Sequence, residues 1–380
     1  MKSLVSLFAV ILAAFVSFSA AAQNSGVPVP NVAARSFALL DYQSNQFLVS
    51  VKPDERTDPA SLTKLMTAYV AFAAVKQKRI SLTQAVPVST QAWKSEGSRM
   101  FIDPTKSVTV DELLHGMIIQ SGNDASIALA EAIAGSEELF AQLMNKEAKR
   151  LGLTGTNFVN ATGLPNKEHY STARDMAILA SAVVHDFPEF FPLYSQKDYT
   201  YNNITQPNRN RLLWIDKFVD GMKTGHTEAA GYCLVSTAKR GERRLISVVL
   251  GTASDSARTI ESQKLLNYGF QFFDTQRLYA KDQSITTLDL FKGEKDKLSA
   301  GFQQDLYITL PREQLAKLKA TLSTTQPLLA PLSLGQKVGS VKLTVDNTTV
   351  GEYPIVALEN VPLAGFFGRS WDSIKLLWNK

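Results

Sequence analysis

The spacing of apolar and polar residues changes texture three times along the chain. Ser36 to Val51 ("SFALLDYQSNQFLVSV") holds two apolar runs around polar Gln43-Ser44-Asn45, the pattern of two strands joined by a turn. "DPASLTKLMTAY" then reads as the start of a helix. Asp58 stands as its N-cap and Pro59 at the first helical position, where a missing N–H costs nothing. "VTVDELLHGMIIQ", "DASIALAEAIAG", "SEELFAQLMNKEAKRLG" and "TARDMAILASAVVHDF" each repeat apolar residues with the helical period. After Val219 strands return in "VDGMKTGH", "AGYCLVSTAKR" and "RRLISVVLG", with Arg240-Gly241-Glu242 as a tight turn. "ARTIESQKLLNYGFQFF" closes this region as a helix. Strands at both ends with helices between predict an α/β (α+β) domain over residues 30–273, its mainly antiparallel sheet covered by helices.

From about Thr275 the runs become short and alternating: "SITTLDLF", "QDLYITLP", "KLKATLST" and "SVKLTVDNTTVGEYPIVAL", separated by Gly, Pro and Asn turns. They predict a small all-β domain over residues 275–361, a sandwich in outline, with no histidine and no clustered carboxylates. Residues 363–380 change character again. Phe367, Trp371, Ile374 and Trp378 form one helical stripe, with Arg369, Asp372 and Lys375 away from it. The segment is too short to span a bilayer. Its tryptophans and basic residues fit a helix lying in the plane of a membrane surface, the alternative being a terminal helix docked on the β domain.

Composition narrows the class. The chain has 380 residues, 45% apolar and 20% charged, enough for two ordinary globular domains without metals or disulfides to hold them. The first segment, Met1 to Ala22, orders a lysine, an apolar run and Ala20-Ala21-Ala22, as a secretory signal cleaved after Ala22 does. An uncleaved N-terminal anchor is the alternative, and in both cases the rest of the chain is exported. The single cysteine, Cys233, allows no intramolecular disulfide and sits in an apolar strand as a small buried hydrophobe. Four histidines without an H-E-x-x-H spacing argue against a zinc hydrolase, and no metal or cofactor is expected. A net charge of +5, scattered along the chain, is no nucleic-acid surface.

The candidate chemistry begins at Ser61 and Lys64. Three residues apart on a helix they share a face, and a serine nucleophile needs a base to take its proton. The helix N-terminus favours the negative charge that develops there, and burial would lower the lysine pKa until the amine is neutral. The spacing alone is weak, because Ser236-Thr237-Ala238-Lys239 repeats it on a predicted strand. There, residues three apart face opposite ways. Ser121-Gly122-Asn123 lies between two helices, as a capping turn or as a corner presenting a hydroxyl and an amide. Lys223-Thr224-Gly225 lies on a strand, where Lys and Thr suit a carboxylate and Gly lets a substrate backbone lie close.

The order S-x-x-K, S-x-N, K-T-G is that of the penicillin-interacting serine enzymes. "DPASLTKLMTAY", "QSGNDAS", "ARDMA", "NRNRLLW", "VDGMKTGHTEAAGY" and the tail "FFGRSWDSIKLLW" resemble the low-molecular-mass penicillin-binding proteins of the D-alanyl-D-alanine carboxypeptidase type, across nearly the whole exported chain. The resemblance implies an acyl-enzyme on Ser61, with Lys64 as base and Ser121 and Asn123 relaying the proton and holding the substrate amide. It implies that Lys223, Thr224 and Gly225, helped by Arg258, receive the carboxylate end, with the Ser61 and His226 amides as oxyanion hole. The implied partners are a peptidoglycan stem pentapeptide, β-lactam inhibitors and the membrane surface, at the periplasmic face of the inner membrane. A class A-like β-lactamase adds a glutamate in an E-x-x-L-N loop, a pattern that fails at Glu168-His169-Tyr170-Ser171-Thr172. A D,D-endopeptidase or transpeptidase shares the acyl-enzyme, and an envelope binding protein with a relic cleft is the non-enzymatic alternative.

Overall fold

The computed structural model describes residues 26–378, so the export segment expected at Met1–Ala22 lies outside the described residues. The antiparallel pair β1 (Ser36–Asp41) and β2 (Gln46–Val51) opens the chain. A 3-10 turn, Ala60–Thr63, runs directly into α1 (Lys64–Lys76). Then come β3 (Ala85–Val86), α2 (Thr90–Trp93), β4 (Val108–Thr109), α3 (Val110–Ile119), α4 (Asn123–Ala134), α5 (Glu137–Arg150) and α6 (Ala173–Asp186). The hairpin β5 (Asp198–Tyr201) and β6 (Ile204–Pro207) and the short α7 (Leu212–Ile215) follow. The unit closes with β7 (Val219–Thr227), β8 (Gly231–Arg240), β9 (Arg243–Thr252) and α8 (Asp255–Phe272).

Local signals explain most helix ends. Thr109 and Glu112 form a reciprocal capping box on α3, and Ser136, Thr172 and Ser254 cap α5, α6 and α8. Each such cap contributes about 1 kcal/mol. Gly135, at φ +84°, ends α4 in the left-handed conformation that glycine adopts without a Cβ penalty.

The main sheet runs β2-β1-β9-β8-β7 and is antiparallel throughout. Alternate residues serve two cores. Ala38, Leu40, Val235, Ile246 and Val248 face one cluster with α1, α3, α4 and α6, whereas Phe37, Leu39, Leu234, Leu245 and Val249 pack with Leu265 and Leu266 of α8. Burial on both faces is why these strands read as continuous apolar runs. Helix α1 is apolar all round, with Leu65, Met66, Ala68, Tyr69, Val70, Ala71, Phe72 and Ala74 buried. It is therefore a central helix, and a lysine at its first residue has no easy route to water.

A second unit begins with β10 (Phe273–Tyr279), then β11 (Ser284–Phe291), β12 (Lys297–Gly301), β13 (Leu306–Pro311), the single turn α9 (Arg312–Leu315), β14 (Lys319–Thr324), β15 (Leu328–Leu329), β16 (Lys337–Val345) and β17 (Thr348–Ala357). Six strands form one sheet, β14-β16-β17-β12-β11-β15, and β10 pairs with β13. Leu298, Ile308, Val338, Leu343 and Ile355 anchor a separate core. At the junction Asp41 accepts from Arg243 Nε at 2.8 Å and from Thr275 Oγ1 at 2.6 Å, and Gln46 Oε1 accepts from the Thr309 amide at 2.6 Å. Helix α10 (Phe366–Trp378) docks through Asp372, which accepts from the Lys292 amide at 2.5 Å. Phe367 (87%), Trp371 (61%) and Ile374 (48%) stand exposed, while the side chain of Trp378 lies outside the described residues. Among the described residues no helix is long and apolar enough to cross a membrane.

Candidate active site

The turn that carries Ser61 differs from a simple helix start. Ala60 adopts φ +48°, so Asp58 does not cap an α-helix; its Oδ1 accepts from the Ala60 amide at 2.8 Å, two residues on, and Ser61 falls in the 3-10 turn. Asp58 Oδ2 also accepts from Thr227 Oγ1 at 3.1 Å, fastening the turn to the end of β7.

Lys64 is only 1% exposed. Its Nζ lies 2.7 Å from Asn123 Oδ1, 2.6 Å from the Thr162 carbonyl and 3.0 Å from Ser61 Oγ. A neutral amine has two N–H donors and one lone pair. The two donors match the two obligate acceptors, and the lone pair then faces the Ser61 hydroxyl. Burial, reinforced by the Arg209 cation, brings the Lys64 pKa down to about 7. The amide of Asn123 is fixed from behind, because its Nδ2 donates to the Glu96 carbonyl at 2.6 Å.

The other predicted residues gather around this pair. Ser121 sits at the α3–α4 corner with φ +72°, its Oγ buried and without a hydrogen-bond partner among the described residues. Lys223 and Thr224 are buried on β7, and Lys223 Nζ donates to the Thr224 carbonyl at 3.1 Å. Burial, then the Lys64, Arg209 and Arg258 cations, hold the Lys223 pKa well below its usual value. Gly225 lies against the Ser61 turn: a Cβ there would stand 3.0 Å from the Pro59 carbonyl and 3.3 Å from Ala60 Cβ. Arg258 on α8 donates to the Gly225 carbonyl at 3.1 Å and pairs with Asp255. The His226 side chain is exposed and lies on the Tyr232 ring, 4.0 Å between centroids. The Arg209 and Arg258 guanidiniums, with Lys64 and Lys223 able to take up a proton when a negative charge arrives, bias this site toward an anionic ligand.

The decoy separates cleanly. Ser236 is buried against Ser247 Oγ at 2.9 Å, while Lys239 is exposed. Cys233 is buried in β8, and burial pushes its thiol up to about 11. Glu168, the carboxylate of the lactamase comparison, is exposed.

Three contributors escaped the sequence reading. The Thr162 carbonyl reaches Lys64 across 98 residues. Gly163 makes that approach possible: at φ +85°, a Cβ would stand 1.8 Å from the Ala60 carbonyl oxygen. His169 closes the same loop, its Nδ1 accepting from the Val159 amide at 3.1 Å and its Nε2 donating to Thr63 Oγ1 at 2.7 Å. An amide can only donate, so the imidazole is neutral and carries its proton on Nε2. Burial, with Lys64 nearby, lowers its pKa to about 4. Arg209 was visible only as part of "NRNRLLW", because its proximity to Lys64 is a matter of tertiary packing.

Comparison with known proteins decides among the serine enzymes that share these motifs. Residues 22–254 match the family described as D-alanyl-D-alanine carboxypeptidase, and residues 273–363 match the penicillin-binding protein 5 C-terminal domain. The chain belongs to the D-alanyl-D-alanine carboxypeptidase family. Within this carboxypeptidase family it is 45% identical to DacC of Escherichia coli over 370 residues, covering 95% of this chain and 92% of that protein. The crystal structure of penicillin-binding protein 5 from Haemophilus influenzae superposes with TM-score 0.86 at 40% identity, covering 89% of this chain and all (100%) of that one. A Listeria monocytogenes penicillin-binding protein solved in its ampicillin-bound form matches at TM-score 0.60 and 30% identity, over 64% of this chain and 100% of that one.

Proposed function

We propose that the chain removes the terminal D-alanine from peptidoglycan stem pentapeptides through an acyl-enzyme on Ser61. The observation that carries this reading is the Ser61 Oγ–Lys64 Nζ contact of 3.0 Å, at an amine already spoken for by two acceptors. Lys64 takes the hydroxyl proton as Ser61 Oγ attacks the carbonyl carbon of the D-Ala-D-Ala bond. Developing charge on the carbonyl oxygen is met by the Ser61 and His226 backbone amides. Ser121 returns the proton to the leaving D-alanine amine, and Asn123 holds the substrate amide. Lys223 and Thr224, with Arg258 behind Gly225, receive the terminal carboxylate, whose charge raises the lysine pKa back toward the cationic form. Water then attacks the ester, releasing the shortened peptide and restoring Ser61.

β-Lactams acylate the same serine. The catalytic unit works outside the cytoplasm, at the periplasmic face of the inner membrane, held there by the exposed Phe367, Trp371 and Ile374 stripe of α10. Glu168 in solvent supports slow rather than rapid release of a penicilloyl group. Intact-mass analysis after incubation with penicillin tests the reading. One adduct is expected on the wild type and none on Ser61→Ala; an undiminished adduct on the variant would refute it.

A further inference from the structure

Beside the Asn123 corner lies an open cavity of about 230 Å³ that the reaction does not use, lined by Trp93, Arg99, Phe101, Ile102, Asp103 and Asn202. Trp93 is 45% exposed and Phe101 41%, two large rings kept partly in water that line the same cavity. Phe101 also has φ +68°, a conformation that a bulky residue adopts only when its surroundings impose it. What imposes it is Asp124, buried at the first turn of α4, whose carboxylate accepts from the Met100, Phe101 and Ile102 amides at 2.9, 2.8 and 3.3 Å. Adjacent residues of one helix turn therefore serve both places: Asn123 holds Lys64, and Asp124 holds the segment that displays Phe101.

The polar lining is equally well placed. Arg99 makes no ion pair among the described residues and lies over the Phe101 ring at 5.4 Å, with its carbonyl accepting from Gln206 Nε2 at 3.3 Å. Asp103 is oriented by Thr105, whose amide and hydroxyl both donate to its Oδ1 at 2.8 and 2.7 Å. Asn202, from the tip of the β5–β6 hairpin, is steadied by Lys106 Nζ at 3.0 Å. Two exposed rings with a guanidinium, a carboxylate and an amide around them suit a ligand with apolar C–H faces and a hydroxyl-rich edge. That is the chemistry of a sugar ring.

We propose that this cavity is a subsite for a sugar of the glycan strand that carries the stem peptide, an inference that rests on the reaction assigned above. The lengths agree. From Ser61 the chain of contacts passes through Lys64 and Asn123 to the Glu96 carbonyl, and Trp93 is three residues earlier, which places the cavity within roughly 20 Å. Four extended residues ahead of the departing D-alanine span about 13 Å, with the sugar beyond them. The substrate then lies with its carboxylate on β7 and its glycan end against α2.

D-alanine release by the full chain is measured from a free pentapeptide and from the same pentapeptide joined to an N-acetylglucosamine–N-acetylmuramic acid disaccharide. Wild-type kcat/KM is expected to favour the glycosylated substrate by about tenfold. Trp93→Ala and Phe101→Asn, the latter chosen because asparagine tolerates positive φ, should bring the ratio near one and leave free-pentapeptide turnover unchanged. A wild-type ratio near one, or a ratio that neither variant alters, overturns the subsite. So does an equal loss on both substrates, which would mark the cavity as a peptide contact. If no D-alanine is released at all, the reaction reading fails by itself. Calorimetric titration with the peptide-free disaccharide then decides the subsite: binding lost in Trp93→Ala supports it, and no binding to the wild type refutes it.

Discussion

Replacing Lys64 with arginine removes its capacity to act as a base while keeping a cation and its donors. Burial brings the Lys64 amine from 10.5 to about 7, so that close to half of it is neutral at pH 7. At an ordinary lysine pKa only about one amine in three thousand would be neutral at that pH, so burial raises the working base on the order of a thousandfold, equivalent to roughly 4 kcal/mol. An arginine stays protonated at every accessible pH. Lys64→Arg should therefore slow acylation by at least ~10³-fold, within the range that positioned general bases supply. The assay is rapid-mixing acylation by a fluorescent penicillin between pH 5.5 and 9.5. The sign is fixed: the reactive form is deprotonated, so the wild-type rate rises with pH through about 7 and then levels. Arg209→Gln, removing a cation that helps to depress this pKa, should move the midpoint upward. A flat wild-type profile, or a Lys64→Arg rate within tenfold of the wild type, would refute the reasoning.

Gly163→Ala would drive a Cβ to 1.8 Å from the Ala60 carbonyl oxygen at a φ of +85°, so it should cost about 3 kcal/mol or more, seen as a Tm lower by several degrees; an unchanged Tm would contradict the packing. His169 is held neutral by its two bonds, with its pKa lowered from 6.5 to about 4. A lowered histidine pKa means that the unfolded chain binds the extra proton first, so stability should fall by roughly 3 kcal/mol as pH drops from 6.5 to 4. His169→Gln should flatten that slope in denaturant titrations, and an identical slope would remove His169 as its source. Phe367→Asp with Trp371→Asp should abolish co-sedimentation with anionic lipid vesicles while leaving acylation intact; undiminished sedimentation would remove α10 as the anchor.

How much of this was legible in the sequence depended on whether the signal was local. Capping residues such as Thr109, Ser136 and Thr172 act on amides two or three positions away, so the helices they start could be read directly. The buried strands announced themselves as apolar runs because both faces of the main sheet are covered. Strand β10 was missed because "FDTQRLY" is mostly polar and pairs only with β13. At the site, the Ser61–Lys64 spacing could be read from helix geometry, but the positive φ of Ala60 could not, since it answers to the distant Gly163 loop. The same holds for the Thr162 carbonyl and for His169, whose partners are about a hundred residues away. Tertiary placement also separated the two S-x-x-K spacings: Lys64 is enclosed by α1 and its neighbours, while Lys239 emerges at a strand end.

The central claim is that Ser61, activated by Lys64, cleaves a D-alanyl-D-alanine bond. D-alanine release from a stem pentapeptide, followed at pH 8 with the full chain and with Ser61→Ala, tests it most directly. The account predicts one D-alanine per pentapeptide from the wild type, leaving a tetrapeptide, and none above background from the variant. Release that persists in Ser61→Ala, or a wild type that acylates with penicillin yet frees no D-alanine, would contradict it.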